Sequence, residues 1–170
     1  MTKKAMLEPI IFAMMVLLGF LVSEVHCDQS VLDRYVGEWQ VRVKTLQPAR
    51  PDITYTETYK WVLDHKFIYG VTGHKPDGTQ DVIYGTYDAQ AKGYPFWIFS
   101  SSGTYFYLAP GIWNRRKQVM EWKSPANWEI AYHSVCDFSA KNLHRCAMVL
   151  KDWKGKVLLK QTWTATRIKR

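Results

Sequence analysis

From about residue 37 onward this chain is a succession of short runs rich in Val, Ile, Thr, Tyr, Trp and Phe, each broken by turn residues. The breaks recur at roughly 8–12 positions, the spacing of an antiparallel sandwich or barrel. No run is long enough for a stable helix, and β-branched and aromatic side chains suit a half-buried pleated surface. Strands are expected near 37–45, 53–63, 66–73, 80–87, 95–101, 104–109, 117–123, 128–138, 143–151 and 157–168. Ahead of them, Ser30 to Val36 can form one short helical turn capped by Ser30.

The connections have a mechanism of their own. In Lys75-Pro76-Asp77-Gly78, proline sets φ and glycine accepts a positive one. Asp64-His65, Ser102-Gly103 and Lys154-Gly155 are similarly tight links. Between turns the residues alternate. Ile53, Tyr55, Tyr59, Trp61 and Leu63 share one face, opposite Thr54, Thr56, Thr58 and Lys60. Trp128, Ile130, Tyr132, Cys136 and Phe138 oppose Glu129, His133 and Asp137; Val157, Leu159, Trp163 and Ala165 oppose Lys160, Thr162, Thr164 and Thr166. One wet and one apolar face per strand predicts an all-β fold, a single antiparallel up-and-down β-barrel with its apolar faces inward.

The cysteines agree with it. Cys136 and Cys146 lie symmetrically about Lys141, so a simple hairpin makes them cross-strand partners on apolar faces, and a disulfide is expected. The third, Cys27, ends a segment that reads as an export signal. Lys3 and Lys4 precede an uncharged run, Ile10 to Val22, too short for the ~20 residues of a membrane span. Val25-His26-Cys27 suits cleavage before Asp28, with Ser23 a weaker end point. A lipid anchor on Cys27 would need a small residue where His26 stands. The expected division is therefore 1–27 signal peptide and 28–170 barrel domain, exported to a periplasmic or secreted location where a disulfide persists.

Residues 28–170 hold all eight tryptophans and all ten tyrosines, and the net charge is +8. The Lys and Arg residues are dispersed, with local groups only at Arg115-Arg116-Lys117 and Arg167-Ile168-Lys169-Arg170. Dispersed charge favours solubility and attraction to an anionic envelope surface, and no nucleic-acid partner is expected.

Gly37-Glu38-Trp39, after a short helical turn and opening the first strand, resembles the Gly-x-Trp motif of the lipocalins and the wider calycin group. Tyr84-Gly85-Thr86-Tyr87-Asp88, followed by Phe96-Trp97-Ile98-Phe99-Ser100-Ser101-Ser102-Gly103, is similar to uncharacterised bacterial lipocalin-like proteins. The resemblance implies a lipocalin-like barrel in which Trp39 closes one end and packs against Arg167, near the end of the last strand. The usual middle motif of the lipocalins is not evident.

No Gly-x-Ser-x-Gly elbow, phosphate loop, His-Glu-x-x-His or Cys-x-x-Cys is present, so neither a catalytic residue nor a metal site is assigned. His65 and His74 flank the third strand and read as turn residues; His133 and Asp137 share an outer, polar face. His144 is the best candidate for a haem ligand, but the nearby turn places it at the barrel rim, and no cofactor is expected. The interior is the remaining candidate. Glu57 sits on an aromatic face, where a carboxylate is costly unless paired or protonated. It could anchor a polar group of a ligand, or meet Arg167 or Gln161. Tyr55, Tyr59, Trp61, Tyr105, Tyr107 and Trp163 would then line an aromatic pocket, with Glu57 and the inward Gln161 selecting polar features of the ligand. Two functions follow: a barrel that binds a small hydrophobic or amphipathic molecule, or an envelope interaction domain with a filled core. An enzyme is a distant third.

Overall fold

The computed structural model describes residues 30–168. The expected signal, its cleavage point and Cys27 lie outside the described residues.

A 3-10 turn, Leu32–Arg34, is followed by β1 (Gly37–Gln47), β2 (Ile53–Val62), β3 (Phe67–Thr72), β4 (Asp81–Thr86) and β5 (Tyr94–Ser100). Then come β6 (Tyr105–Asn114), β7 (Val119–Lys123), β8 (Ile130–Ala140), β9 (Leu143–Asp152) and β10 (Val157–Arg167). Each strand pairs antiparallel with its chain neighbours, and β10 returns to β1, so the ten strands form a closed up-and-down barrel. Closure leaves no sheet edge unpaired. The expected alternation holds in β2 as far as Trp61. Leu63 instead leaves the strand into a turn at φ 51° and is exposed.

β6 runs five residues past the expected end at 109, to Asn114. Pro110-Gly111 reads in sequence as a break, yet the register of β5 and β6 slips between Tyr94 and Phe96, and a bulge absorbs the proline. Cys136 and Cys146 are directly opposite in β8 and β9, joined by a disulfide with Cα atoms 4.1 Å apart.

The 3-10 turn plugs one end. Leu32 is fully buried beneath it. The Trp61 indole donates to Asp33 Oδ1 at 2.7 Å, and Arg34 Nη1 donates to the Phe138 carbonyl at 3.1 Å while its guanidinium lies 5.1 Å over Trp113. The turn is thereby tied to β2, β6 and β8. Its capping position is Val31, which has no side-chain cap; the Ser30 carbonyl accepts from the Asp33 N–H. The other end of the barrel, framed by the β1–β2, β3–β4, β5–β6, β7–β8 and β9–β10 connections, is open.

Candidate functional site

At the plugged end, Trp39 is 1% exposed and its indole donates to the Tyr35 carbonyl at 2.6 Å. Arg167, its register partner on β10, stacks with the guanidinium carbon 4.2 Å from the ring centre and donates to the Val36 carbonyl at 2.7 Å. A planar cation over an indole face contributes ~0.5–2 kcal/mol. Gly37 makes room for it: a Cβ there would lie 2.2 Å from Arg167 Nη1, and φ is +126°. Gly37, Trp39 and Arg167 thus pack as one group where β1 and β10, the first and last strands of the sheet, meet.

His144 belongs to this floor and is not at a rim. It is buried between Trp39 and Phe138, ring centres 4.0 and 4.4 Å away. Burial first, then the charges of Arg167 and Arg34, pulls its imidazole down from 6.5 to about 4, so it is neutral at physiological pH.

Above the floor the interior encloses a cavity of ≈ 290 Å³, at the lower end of the ~300–1,000 Å³ usual for small-molecule sites. Tyr55, Glu57, Tyr59, Gln161 and Trp163 line it, together with Tyr35, Ile83, Phe96, Leu108, Trp122, Phe138, Met148 and the disulfide. Three residues expected in this pocket are elsewhere. Trp61 lies at the plugged end with Asp33. Tyr105, 76% exposed, and Tyr107, stacked at 5.4 Å on Trp97, stand on the outer face of β6. Aromatic residues fill positions 105, 106 and 107 in a row, so alternation cannot choose between faces; Phe106 and Leu108 are the more buried set.

The charged groups of the cavity wall, Glu57, Lys75 and Asp81, lie together on β2, β4 and the connection between β3 and β4, while Ser134, His144 and Gln161 add neutral polar groups elsewhere on it. Glu57 accepts from the Tyr59 hydroxyl at 3.1 Å, and the Tyr55 hydroxyl also favours its charged form. Tyr59 reaches this position because Gly70, its register partner on β3, leaves its ring room; a Cβ there would lie 2.3 Å from Tyr59 Cε1. Burial raises the Glu57 carboxyl from 4.5 to about 7, opposed by the two tyrosines and Lys75 and reinforced by Asp81. The partners of Glu57 are therefore tyrosines, and not Arg167, which is engaged with Trp39. Burial also raises the hydroxyls of Tyr55, Tyr59 and Tyr35.

Beside Glu57, Asp81 Oδ2 pairs with Lys75 Nζ at 2.5 Å, and the Asp81 N–H donates to Thr72 Oγ1 at 2.8 Å. The second carboxylate oxygen, Oδ1, and the Tyr35 hydroxyl are buried without a hydrogen-bond partner among the described residues. Sequence reasoning missed Asp81, although period two puts it on the inward face of Ile83. Lys75 sits in a turn and Tyr35 before the barrel, where alternation carries no signal.

The other titratable groups lie apart. His65 and His74 are at opposite ends of β3, and His133 pairs with Glu121 Oε1 at 2.7 Å outside the barrel. Among the described residues no three His, Cys, Asp or Glu side chains could hold a metal ion, and no helix is long and apolar enough to cross a membrane.

No family model and no curated protein matches this chain. Among solved structures, it is similar to an S-type phycobiliprotein lyase, CPES, from Guillardia theta, at 14% identity and a TM-score of 0.46 over 83% of this chain and 92% of that one. It is similar to a de novo designed fluorescence-activating β-barrel at 11% identity and a TM-score of 0.46, over 81% and 97%. A DUF3598-family protein from Nostoc punctiforme matches at 6% identity and a TM-score of 0.26, over 83% and 99%.

Proposed function

We propose that this chain is an exported, calycin-type barrel that takes one small, largely apolar molecule into its interior through the open end. Burial supplies the affinity, at ~25 cal/mol per Å² of apolar ligand surface removed from water. A hydrogen-bond donor on the ligand, such as a hydroxyl or amine, sits against Asp81 and Glu57. The observation that carries this reading is the buried Asp81 Oδ1, which belongs to the cavity wall and has no hydrogen-bond partner among the described residues. A carboxylate oxygen without a donor costs ~1–3 kcal/mol, which a ligand donor recovers. The cavity favours this reading over a filled core. The apolar run before Cys27 and the disulfide support export.

Native mass spectrometry of the protein from its own host tests it. The expected result is a discrete bound mass that is released on mild denaturation, and that is reduced at least about tenfold in a folded Asp81→Asn variant. A clean unliganded mass for the unsubstituted protein would refute the reading.

A further inference from the structure

The open end carries most of the large apolar surface that folding leaves exposed. Phe99, Tyr105, Trp128, Ile130, Trp153 and Leu158 stand around it, whereas Leu63, Ile112 and Ile168 are their counterparts at the plugged end. The most prominent is Trp153, 76% exposed at the tip of the β9–β10 hairpin. An ordered turn holds it out: Asp152 Oδ1 accepts from the backbone N–H groups of Lys154 and Lys156 at 2.9 Å each, and Gly155 takes φ +81°. Lys154 Nζ lies 4.7 Å over the Trp153 ring. The same tip carries Lys151, Lys156 and Lys160, with Asp152 the single acid among them and its carboxylate committed to the turn.

We infer that this rim docks the barrel, open end first, on an anionic lipid surface. Trp153, Leu158 and the neighbouring aromatics enter the headgroup zone, while Lys151, Lys154, Lys156 and Lys160 meet the lipid phosphates. Indole and phenol rings settle at that depth because they join an apolar body to a polar tip, and lysine stems lie along apolar surface with the ammonium in water. Basic side chains at an anionic surface each add a favourable increment that salt screens. Lysine is depleted from protein–protein interface cores, and here it is interleaved with the apolar ring, so the composition favours lipid over a protein partner. The docking does not depend on the cavity being occupied. It gives an apolar ligand a passage between bilayer and interior that avoids bulk water.

The test uses the protein as its host leaves it, sedimented with vesicles of phosphatidylcholine alone or mixed with phosphatidylglycerol. Binding is expected to the anionic vesicles, to weaken with salt, and to fall about 30-fold when Lys154→Gln and Lys156→Gln are combined. Trp153→Ala is expected to weaken binding at least about tenfold, and Ile112→Ala at the plugged end to leave it unchanged. Brominated phosphatidylglycerol should quench tryptophan fluorescence in the parent protein and lose most of that effect when Trp153→Phe and Trp128→Phe are combined, which locates the contact at the rim even if another segment also tethers the chain. Quenching that persists when Trp153→Phe and Trp128→Phe are combined, equal losses for Trp153→Ala and Ile112→Ala, or no binding to anionic vesicles would overturn the inference and return the rim to a protein partner.

Discussion

Glu57→Gln isolates the most perturbed carboxyl of the interior. In the folded barrel Glu57 holds its proton up to about pH 7, against 4.5 for an ordinary glutamate. Between those values the folded state binds more protons than the unfolded chain, so stability falls as pH rises. The contribution of Glu57 is fully present below about pH 4.5 and is lost progressively toward pH 7. At ~1.4 kcal/mol per pH unit, the gap corresponds to about 3 kcal/mol. His144 works in the opposite sense. Its imidazole is pulled from 6.5 to about 4, so its contribution is present above about pH 6.5 and lost as pH falls toward 4. The two partly cancel in the parent protein, whose own pH profile is consequently uninformative. Glutamine resembles the protonated carboxyl and can keep accepting from Tyr59. The variant is therefore expected to match the parent at pH 4 and to exceed it by about 3 kcal/mol at pH 8. Urea unfolding followed by tryptophan fluorescence, disulfide intact and ionic strength fixed, measures both. A difference between the two chains that stays constant within ~0.5 kcal/mol from pH 4 to pH 8 would show that Glu57 is not buried as described.

Trp39→Ala should cost ~3–5 kcal/mol, because a fully buried indole leaves a cavity its rigid neighbours cannot fill; an unchanged melting midpoint would remove its closing role. Gly37→Ala should destabilise by ~1–3 kcal/mol, since its Cβ meets Arg167 and its φ is positive, and Arg167→Ala on that background should cost less than Arg167→Ala alone. Reducing the Cys136–Cys146 bond should lower stability by about 2–3 kcal/mol, read as a shift in urea midpoint with the barrel still folded; free-thiol titration before reduction should find neither sulfur reactive.

The strand order, the closure and the disulfide were legible because each rests on a period of two or on symmetric counting about a turn. Trp39 and Arg167 could be paired from opposite ends of the chain only through a family resemblance, as nothing local links them. Glu57 was legible as an odd polar residue on an aromatic face. What alternation could not read were places where the period breaks. The three consecutive aromatics at 105–107 hid which face of β6 turns inward, and Pro110 disguised a bulge as a strand end. The depth of His144 was missed for another reason: the turn beside it suggested a rim, but the 3-10 turn folds over that end and makes it a floor. The orphan oxygen of Asp81 depends on where Lys75 comes to rest, which is a property of a loop in three dimensions.

The ladder in which every strand pairs with its chain neighbours has a kinetic meaning. Hairpins close short loops, and their entropy cost is small and local; the seam between β1 and β10 alone joins residues as distant as Trp39 and Arg167. The barrier to folding should then be concentrated in that one seam, whose alignment is fixed by the Trp39–Arg167 stack. A circular permutant that joins the natural ends and opens the chain at Gly103, a turn position with nothing near its Cα hydrogens, makes the seam a local hairpin and moves the long-range step to β5–β6. Its refolding rate should no longer respond to Trp39→Phe, while that of the natural connectivity should slow; an equal response in both would place the rate-limiting event elsewhere in the barrel.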